Sequence, residues 1–224
     1  VSEQKNKLIT LAVLGGTGKE GSGLALRWAH AGYKVIIGSR EAEKAQASVA
    51  ELNALLGGEY LIGADNVTAA SQADVVILSV PYSAQKATLE SVKEQLQGKI
   101  LVDVTVPLAP PKVRQVNVPS GLAATLEASK LLGEGVKVIA AFQNISAVHL
   151  KDLEHSIDCD VLVCGDDENA KEEVLKLVTA AGMRGLDAGP LANAVAVEAL
   201  TPVLLYINKR YQVVGSGIRI TGLA

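Results

Sequence analysis

Aromatic side chains are scarce in this chain, with one Trp, one Phe and five Tyr among 224 residues. That shortage argues against a β-sandwich, whose strands draw on such residues. Ala, Val, Leu and Gly dominate instead, a balance that suits helices packed closely on a parallel sheet. Cysteine is nearly absent. Cys159 and Cys164 do not form a Cys-x-x-Cys pair, so neither a zinc site nor a disulfide framework follows, and a reducing cytosol is the expected compartment. Basic residues are not in excess: 21 Lys and Arg face 24 Asp and Glu, for a formal net charge of −3. That balance excludes a broad nucleic-acid surface, and any anionic ligand must be met by locally placed cations. Long apolar runs are missing too. None approaches the ~20 residues that span a bilayer, and residues 1–7 contain no apolar signal core. The expectation is a soluble cytoplasmic protein with no membrane and no nucleic-acid partner.

What is present alternates between short apolar runs and helical spacing. Strands are expected over 8–14, 33–37, 60–63, 73–80, 100–104 and 136–141, the strongest signal being Val75-Val76-Ile77-Leu78. Helices are expected between them over 18–31, 41–56, 67–72, 83–96 and 120–132. Leu24, Leu26, Trp28 and Ala31 should face inward on the first, and Leu122, Leu126, Leu131 and Leu132 on the last. The alternation predicts an α/β protein, a Rossmann-type doubly wound parallel sheet with right-handed crossovers. Residues 1–142 make the dinucleotide domain. Residues 143–224 make a smaller C-terminal α/β lobe, with a strand over 161–164 and a helix over 169–181. Residues 191–207 are apolar on nearly every side, so they should be buried, against a partner subunit in a homodimer. Pro202 should either start a second helix capped by Thr201 or bend one long helix.

Gly16-Thr17-Gly18-Lys19-Glu20-Gly21 fits Gly-x-Gly-x-x-Gly after a strand and before a helix, the context of a dinucleotide site. Gly16 allows the tight turn, Gly18 leaves room for a pyrophosphate, and Gly21 lets the helix approach the sheet. The first amides of that helix then face the phosphates. About twenty residues on, an NAD-binding fold usually places an acidic side chain on the ribose hydroxyls. This chain has Ser39 and Arg40 there. A carboxylate would repel a 2′-phosphate, whereas a guanidinium pairs with phosphate oxygens in two-pronged geometry. Ser39 adds a hydrogen bond, and Lys44, four residues after Arg40, presents its ammonium on the same face. The cofactor read from these residues is NADP(H).

Ligands in an open parallel sheet sit beyond the carboxyl ends of the strands. Three loops should therefore crowd the nicotinamide: Ser79-Val80-Pro81-Tyr82, Val104-Thr105-Val106-Pro107-Leu108 and Ala141-Phe142-Gln143-Asn144-Ile145-Ser146. Ser79, Val80, Pro81, Val106 and Ala141 are assigned to the cofactor. Pro107, Gln143, Asn144, Ile145, Ser146 and Leu191 are assigned to the acceptor pocket. None of these loops offers a Ser-Tyr-Lys or His-Asp set for proton transfer, so no catalytic residue is assigned. His30, His149 and His155 read as surface histidines. Asp166, Asp167 and Glu168 read as a helix start rather than a metal site. Glu198 reads either as a buried functional acid or as a paired structural one. A carbonyl reduction needs a proton donor near the alkoxide. Hydride exchange between two flat rings can proceed by stacking them at about 3–3.5 Å.

Leu14-Gly15-Gly16-Thr17-Gly18, Gly38-Ser39-Arg40-x-x-x-Lys44, Val163-Cys164-Gly165-Asp166-Asp167, and Asp187-Ala188-Gly189-Pro190-Leu191 with Glu198-x-Leu200-Thr201-Pro202 together resemble the F420H2:NADP oxidoreductases, the NADPH-dependent F420 reductase family. The likeness covers almost the whole chain. It implies a Rossmann domain, a smaller C-terminal domain that contributes to a dimer, and coenzyme F420 docked over the nicotinamide as co-substrate. It also implies that Thr17, Ser39, Arg40 and Lys44 contact the 2′-phosphate, and that hydride passes reversibly between deazaflavin C5 and nicotinamide C4. Where some members carry His-Thr facing the deazaflavin, this chain has Gln143-Asn144. That departure keeps two other readings open: an NADP(H) reductase of the same fold with a flavin, ferric chelate, imine or keto acceptor, and a non-catalytic NADP(H)-binding redox sensor.

Overall fold

A computed structural model describes residues 9–223. Leu8, where the first strand was expected to begin, the segment 1–7 and Ala224 lie outside those residues. Six strands run parallel: β1 (Thr10–Leu14), β2 (Lys34–Ser39), β3 (Leu61–Asp65), β4 (Val75–Leu78), β5 (Ile100–Asp103) and β6 (Lys137–Ala140). Their order is β3-β2-β1-β4-β5-β6, so the chain reverses direction across the sheet between β1 and β4. Both faces of the sheet are covered, which is why its strands read as continuous apolar runs. On β1, Leu11 and Val13 enter one core while Ala12 and Leu14 enter the other.

The helices follow from the same pattern. On α1 (Lys19–His30), Leu24, Leu26 and Trp28 are fully buried, as their spacing predicted. Ala31 is exposed instead, because it is the residue that ends the helix. After α2 (Ala42–Leu56), α3 (Asn66–Gln72) starts where Asp65 accepts from the Thr68 amide at 2.9 Å. Next come α4 (Tyr82–Val92) and α5 (Ala124–Leu132). Leu122, expected on the inner face of α5, precedes that helix with φ at 73° and is 59% exposed.

Beyond residue 142 the strand direction reverses. The loop after β6 turns the chain round, and β7 (Asp160–Gly165) pairs antiparallel to β6. A further strand, β8 (Arg184–Asp187), is parallel to β7, and α6 (Glu168–Ala180) connects the two. Asp167 caps α6 by accepting from the Ala170 amide at 2.8 Å, the helix-start role read from the sequence. No group of three metal-ligating side chains occurs among the described residues.

The last helix, α7 (Ala194–Tyr211), contains Pro202 within one continuous element. Thr201 does not cap a second helix there; its hydroxyl donates to the Gln143 carbonyl at 2.6 Å. By length and composition the segment Leu191–Tyr211 could cross a membrane, with a mean hydropathy of 1.4. Its packing is that of a core helix on one side only. Ala194, Val197, Pro202 and Leu204 are buried, whereas Val203 and Tyr206 are exposed, so the all-round burial read from its composition is not met within one chain. Glu198 resolves as a structural acid. Its buried carboxylate accepts from the Ala124 amide (2.7 Å), the Thr125 amide (2.9 Å) and the Thr125 hydroxyl (2.7 Å), fixing α7 to the start of α5.

Candidate NADP and acceptor site

The glycine loop joins β1 to α1 at the carboxyl edge of the sheet. Its left-handed residue is Gly15 (φ +72°), one position before the fingerprint, where any side chain would collide with the Ser79 carbonyl. Gly16 is required for a different reason than a turn: a Cβ there would lie 2.7 Å from the Val13 carbonyl oxygen. Gly21 is set by close approach as well: a Cβ there would lie 2.9 Å from the Gly16 Cα and 3.1 Å from the Ser79 Cβ. Gly18 stands at the N-cap without a side chain to bond the first amides of α1, so those donors remain for a ligand.

Beside this loop lies a cavity of about 840 Å³, lined by Thr17, Gly18, Ser39, Arg40, Lys44, Ser79, Val80 and Pro81 among others. The structure therefore brings together the predicted phosphate loop, the cation after β2 and the loop after β4. Ser39 is buried, and its Oγ accepts weakly from the Glu41 amide at 3.4 Å. Arg40 is exposed and joins no ion pair among the described residues. Lys44 is held by Glu41 at 2.8 Å, an exposed pair that a phosphate can displace at little cost. That hydrogen bond, with the lysine's charge, holds the Glu41 carboxyl below its ordinary range.

Two features of this cavity escaped the sequence reading. Asn66, the first residue of α3, is 7% exposed, lines the cavity, and its Oδ1 has no hydrogen-bond partner. Its signal was the Asp65-Asn66 pair at a strand end. The far wall is one face of α4, Ser83, Ala84, Ala87, Thr88 and Ser91, whose small side chains leave room for the nucleotide. Their helical spacing was visible in the sequence.

The ring end is more constrained than expected. Ala141 is fully buried and Pro107 is buried, so neither offers open surface; Val106, Ile145 and Ser146 are half-buried. Gln143 is 2% exposed. It donates through Nε2 to the Asp103 carbonyl at 2.7 Å and leaves Oε1 without a partner. Asn144 turns away, donating to the Asp160 carbonyl at 2.6 Å, so its amide holds β7 rather than a ligand. Leu191 lies elsewhere. It lines a space with Lys137, Asp166 and Asp167 at the amino end of β6, the opposite end of the sheet from Gln143. Composition hid this, because an apolar residue after Gly-Pro fits a cleft and a core equally well.

Beneath these residues, Asp103 is fully buried at the end of β5. Burial pushes its carboxyl up to about 6, against hydrogen bonds from Thr105 and Gln85. The Thr105 hydroxyl beside it is buried without a partner. Phe142 adopts φ 72°, rare outside glycine, and its ring meets Trp28 edge-on at 5.8 Å. This backbone twist puts the ring in the core while Gln143 reaches β5. Tyr82 is no proton donor for the rings: its hydroxyl donates to Glu127 at 2.7 Å, and burial with that bond raises it to about 12.

One side chain joins the two halves of the site. Arg27 of α1 donates to the carbonyls of Leu150 (2.8 Å), Asp152 (2.7 Å), His155 (3.1 Å), His149 (3.3 Å) and Ala181 (3.2 Å). His149 and His155 stack on each other at 4.1 Å within that loop. Glu20 lies seven residues before Arg27, on the same stripe of α1, and burial pushes its carboxyl up to about 8.

The strand order, the glycine loop and a cation after β2 define a dinucleotide-dependent oxidoreductase of the Rossmann class. Residues 10–107 match the family model described as NADP oxidoreductase, coenzyme F420-dependent. The chain is 42% identical to the F420-dependent NADP reductase of Methanothermobacter thermautotrophicus, covering 98% of this chain and 97% of that one. It is 44% identical to the F420-dependent NADP reductase of Methanocaldococcus jannaschii, covering 95% and 98%. A crystal structure described as an F420-dependent NADP reductase from an Arthrobacter species superposes with a TM-score of 0.77 at 25% identity, over 95% of this chain and 99% of that one. An imine reductase from Myxococcus stipitatus shares the fold, with a TM-score of 0.66 at 19% identity over 92% and 64%. The chain belongs to the F420-dependent NADP reductase family.

Proposed function

We infer that this protein is an F420-dependent NADP reductase, moving a hydride between NADP(H) and the deazaflavin coenzyme F420. The 42% and 44% identity to two F420-dependent NADP reductases, over nearly their full length, carries this reading. Seating of the phosphorylated dinucleotide is assigned to the glycine-loop residues from Gly16 to Gly21, with Ser39, Arg40 and Lys44 on the 2′-phosphate. Ser79, Val80, Pro81 and Val106 border the nicotinamide. Gln143, Ile145 and Ser146 form the acceptor side, where the unpartnered Gln143 Oε1 can accept from an N–H of the deazaflavin ring. The bound pair of rings supplies the redox chemistry; the protein excludes water and holds the rings in register. No side chain is required to deliver a proton to the carbon that receives the hydride.

The exposed face of α7, with Val203 and Tyr206, is assigned to a homodimer contact, and the two buried free thiols accord with a reducing cytoplasm. The test is direct. Mixed with reduced F420 and NADP, the protein should restore the absorbance of oxidised F420 while NADPH forms in equal amount. NADPH binding without turnover of F420 would instead favour a redox sensor, and turnover of an imine or flavin alone would favour another acceptor.

A further inference from the structure

The carboxyl of Glu20, in the first turn of α1, joins no hydrogen bond or ion pair among the described residues. Its direction follows from its neighbours on the helix. Gly23 and Arg27, three and seven residues on, lie on the same stripe. A Cβ on Gly23 would collide with the Leu150 side chain, and Arg27 donates to the Leu150 carbonyl at 2.8 Å. That stripe therefore faces the segment that leaves the Gln143 loop. Glu20 stands one turn nearer the carboxyl ends of the strands than Gly23 does, and helical side chains lean toward the N-terminus. The carboxyl is thus aimed at the crevice between the glycine loop and residues 143–146. It is half-buried, and desolvation raises it to about 8 with no neighbouring charge to offset the rise.

The charged groups around it are otherwise engaged. The Arg27 guanidinium is occupied by five carbonyls, and His149 and His155 stack on each other. Asp152 accepts from the Glu154 and His155 amides, and Lys19 is exposed. Asp103, the acid beside Gln143, already accepts from the Thr105 backbone amide at 2.9 Å and the Gln85 side-chain amide at 2.6 Å. Of the two acids near the ring end, Glu20 keeps its oxygens free.

We propose that the Glu20 carboxyl is a catalytic residue, the donor and acceptor of the proton at deazaflavin ring nitrogen N1. This role rests on the assignment of F420 as acceptor and adds the path of the proton that accompanies the hydride. As the nicotinamide C4–H bond breaks, a C–H bond forms at deazaflavin C5. The electron pair so delivered moves through the conjugated ring to N1. The Glu20 O–H bond then breaks as an N1–H bond forms, and water afterwards reprotonates the carboxylate. In the reverse direction the carboxylate takes the N1 proton while hydride returns to the oxidised nicotinamide. N1 lies two bonds from the N3–H that the unpartnered Gln143 Oε1 can accept, so both side chains address one edge of the ring. A pyrophosphate at the start of α1 adds a like charge that disfavours the carboxylate form, which keeps the proton on Glu20 until the ring anion forms.

The test is the pH dependence of single-turnover rates, followed by deazaflavin absorbance, in the wild type and in Glu20→Gln, which keeps the shape and removes the proton. In the wild type, F420 reduction by NADPH should slow as pH rises through about 8, and NADP reduction by reduced F420 should quicken over the same range. Glu20→Gln should slow F420 reduction at neutral pH by about 10²-fold, the low end of general acid catalysis, and should lose both pH limbs. Glu20→Asp should keep the limbs at a lowered rate. NADPH affinity in both variants should change by less than about twofold, as for a substitution that removes no contact. A solvent deuterium isotope effect present in the wild type should vanish in Glu20→Gln. An unchanged rate in Glu20→Gln, or a slowed rate with both pH limbs kept, would overturn the role of Glu20 and leave the reductase assignment standing. Wild-type protein that binds NADPH without reducing F420 would overturn the acceptor assignment and this role together.

Discussion

Replacing Arg40 by alanine removes the guanidinium proposed to meet the 2′-phosphate and leaves the fold untouched, because the side chain is exposed and unpaired among the described residues. The change therefore reads ligand binding alone. A hydrogen-bonded contact to a charged group contributes about 1.5–3 kcal/mol, so NADPH affinity should fall by about 10- to 150-fold. Lys44 cannot make up that loss. Its ammonium, released from the exposed pair with Glu41 at little cost, already meets the phosphate in the wild type and has no further contact to give. NADH has only hydroxyls where NADPH carries the phosphate, so its affinity should change by less than about twofold, within the scatter of an ordinary surface substitution. Titrating intrinsic or nicotinamide fluorescence with both nucleotides measures the two constants. If NADPH binding stayed within about threefold of wild type, below the range for a charged contact, or if NADH lost the same factor, Arg40 would not be reading the phosphate.

Other outcomes follow from acids that the fold desolvates. Glu198→Ala would strand two amides and a hydroxyl at the α5–α7 contact, costing about 3 kcal/mol and lowering Tm by about 6–12 °C; a fall under about 2 °C would contradict the structural role given to that carboxylate. Burial raises the carboxyls of Asp103 to about 6, Glu198 to about 7 and Glu20 to about 8, so the native state holds protons that the unfolded chain releases. Their contribution to stability is complete below their ordinary values of 3.8 and 4.5 and is lost as pH rises through 6 to 8. The urea midpoint should thus decline from pH 5 to 8.5, and Glu20→Gln should flatten the portion above pH 7. An unaltered slope in that variant would show that Glu20 does not carry it. Asp160 acts in the opposite sense. Hydrogen bonding from Arg184 lowers its carboxyl to about 2, so acid below its ordinary 3.8 removes its contribution.

The sheet was legible wherever burial on both faces forced uninterrupted apolar runs, as at Val75–Leu78, because that constraint is local to the strand. β8 was not, since Arg184-Gly185-Leu186-Asp187 is only partly buried and carries no such run. The glycine loop was legible because its residue types are dictated by backbone space. Side-chain direction was not. Gln143 and Asn144 are neighbours of the same chemistry, yet one reaches the Asp103 carbonyl and the other the Asp160 carbonyl, a choice set by how the chain reverses between β6 and β7. Leu191 and Leu122 were misplaced for a related reason. An apolar residue beside a glycine or proline fits several surroundings, and only the path of α7 and the left-handed turn at Leu122 decide.

The five carbonyls gathered by Arg27 give the enzyme a mechanical property. The helix proposed to receive the dinucleotide at its start also grips the segment 149–155 that follows the proposed acceptor loop, so both proposed seats are carried on one stiff strut. On that assignment, the spacing between two bound rings is set by helix geometry. A reversible reductase gains from this arrangement, because the same separation serves the forward and the backward transfer.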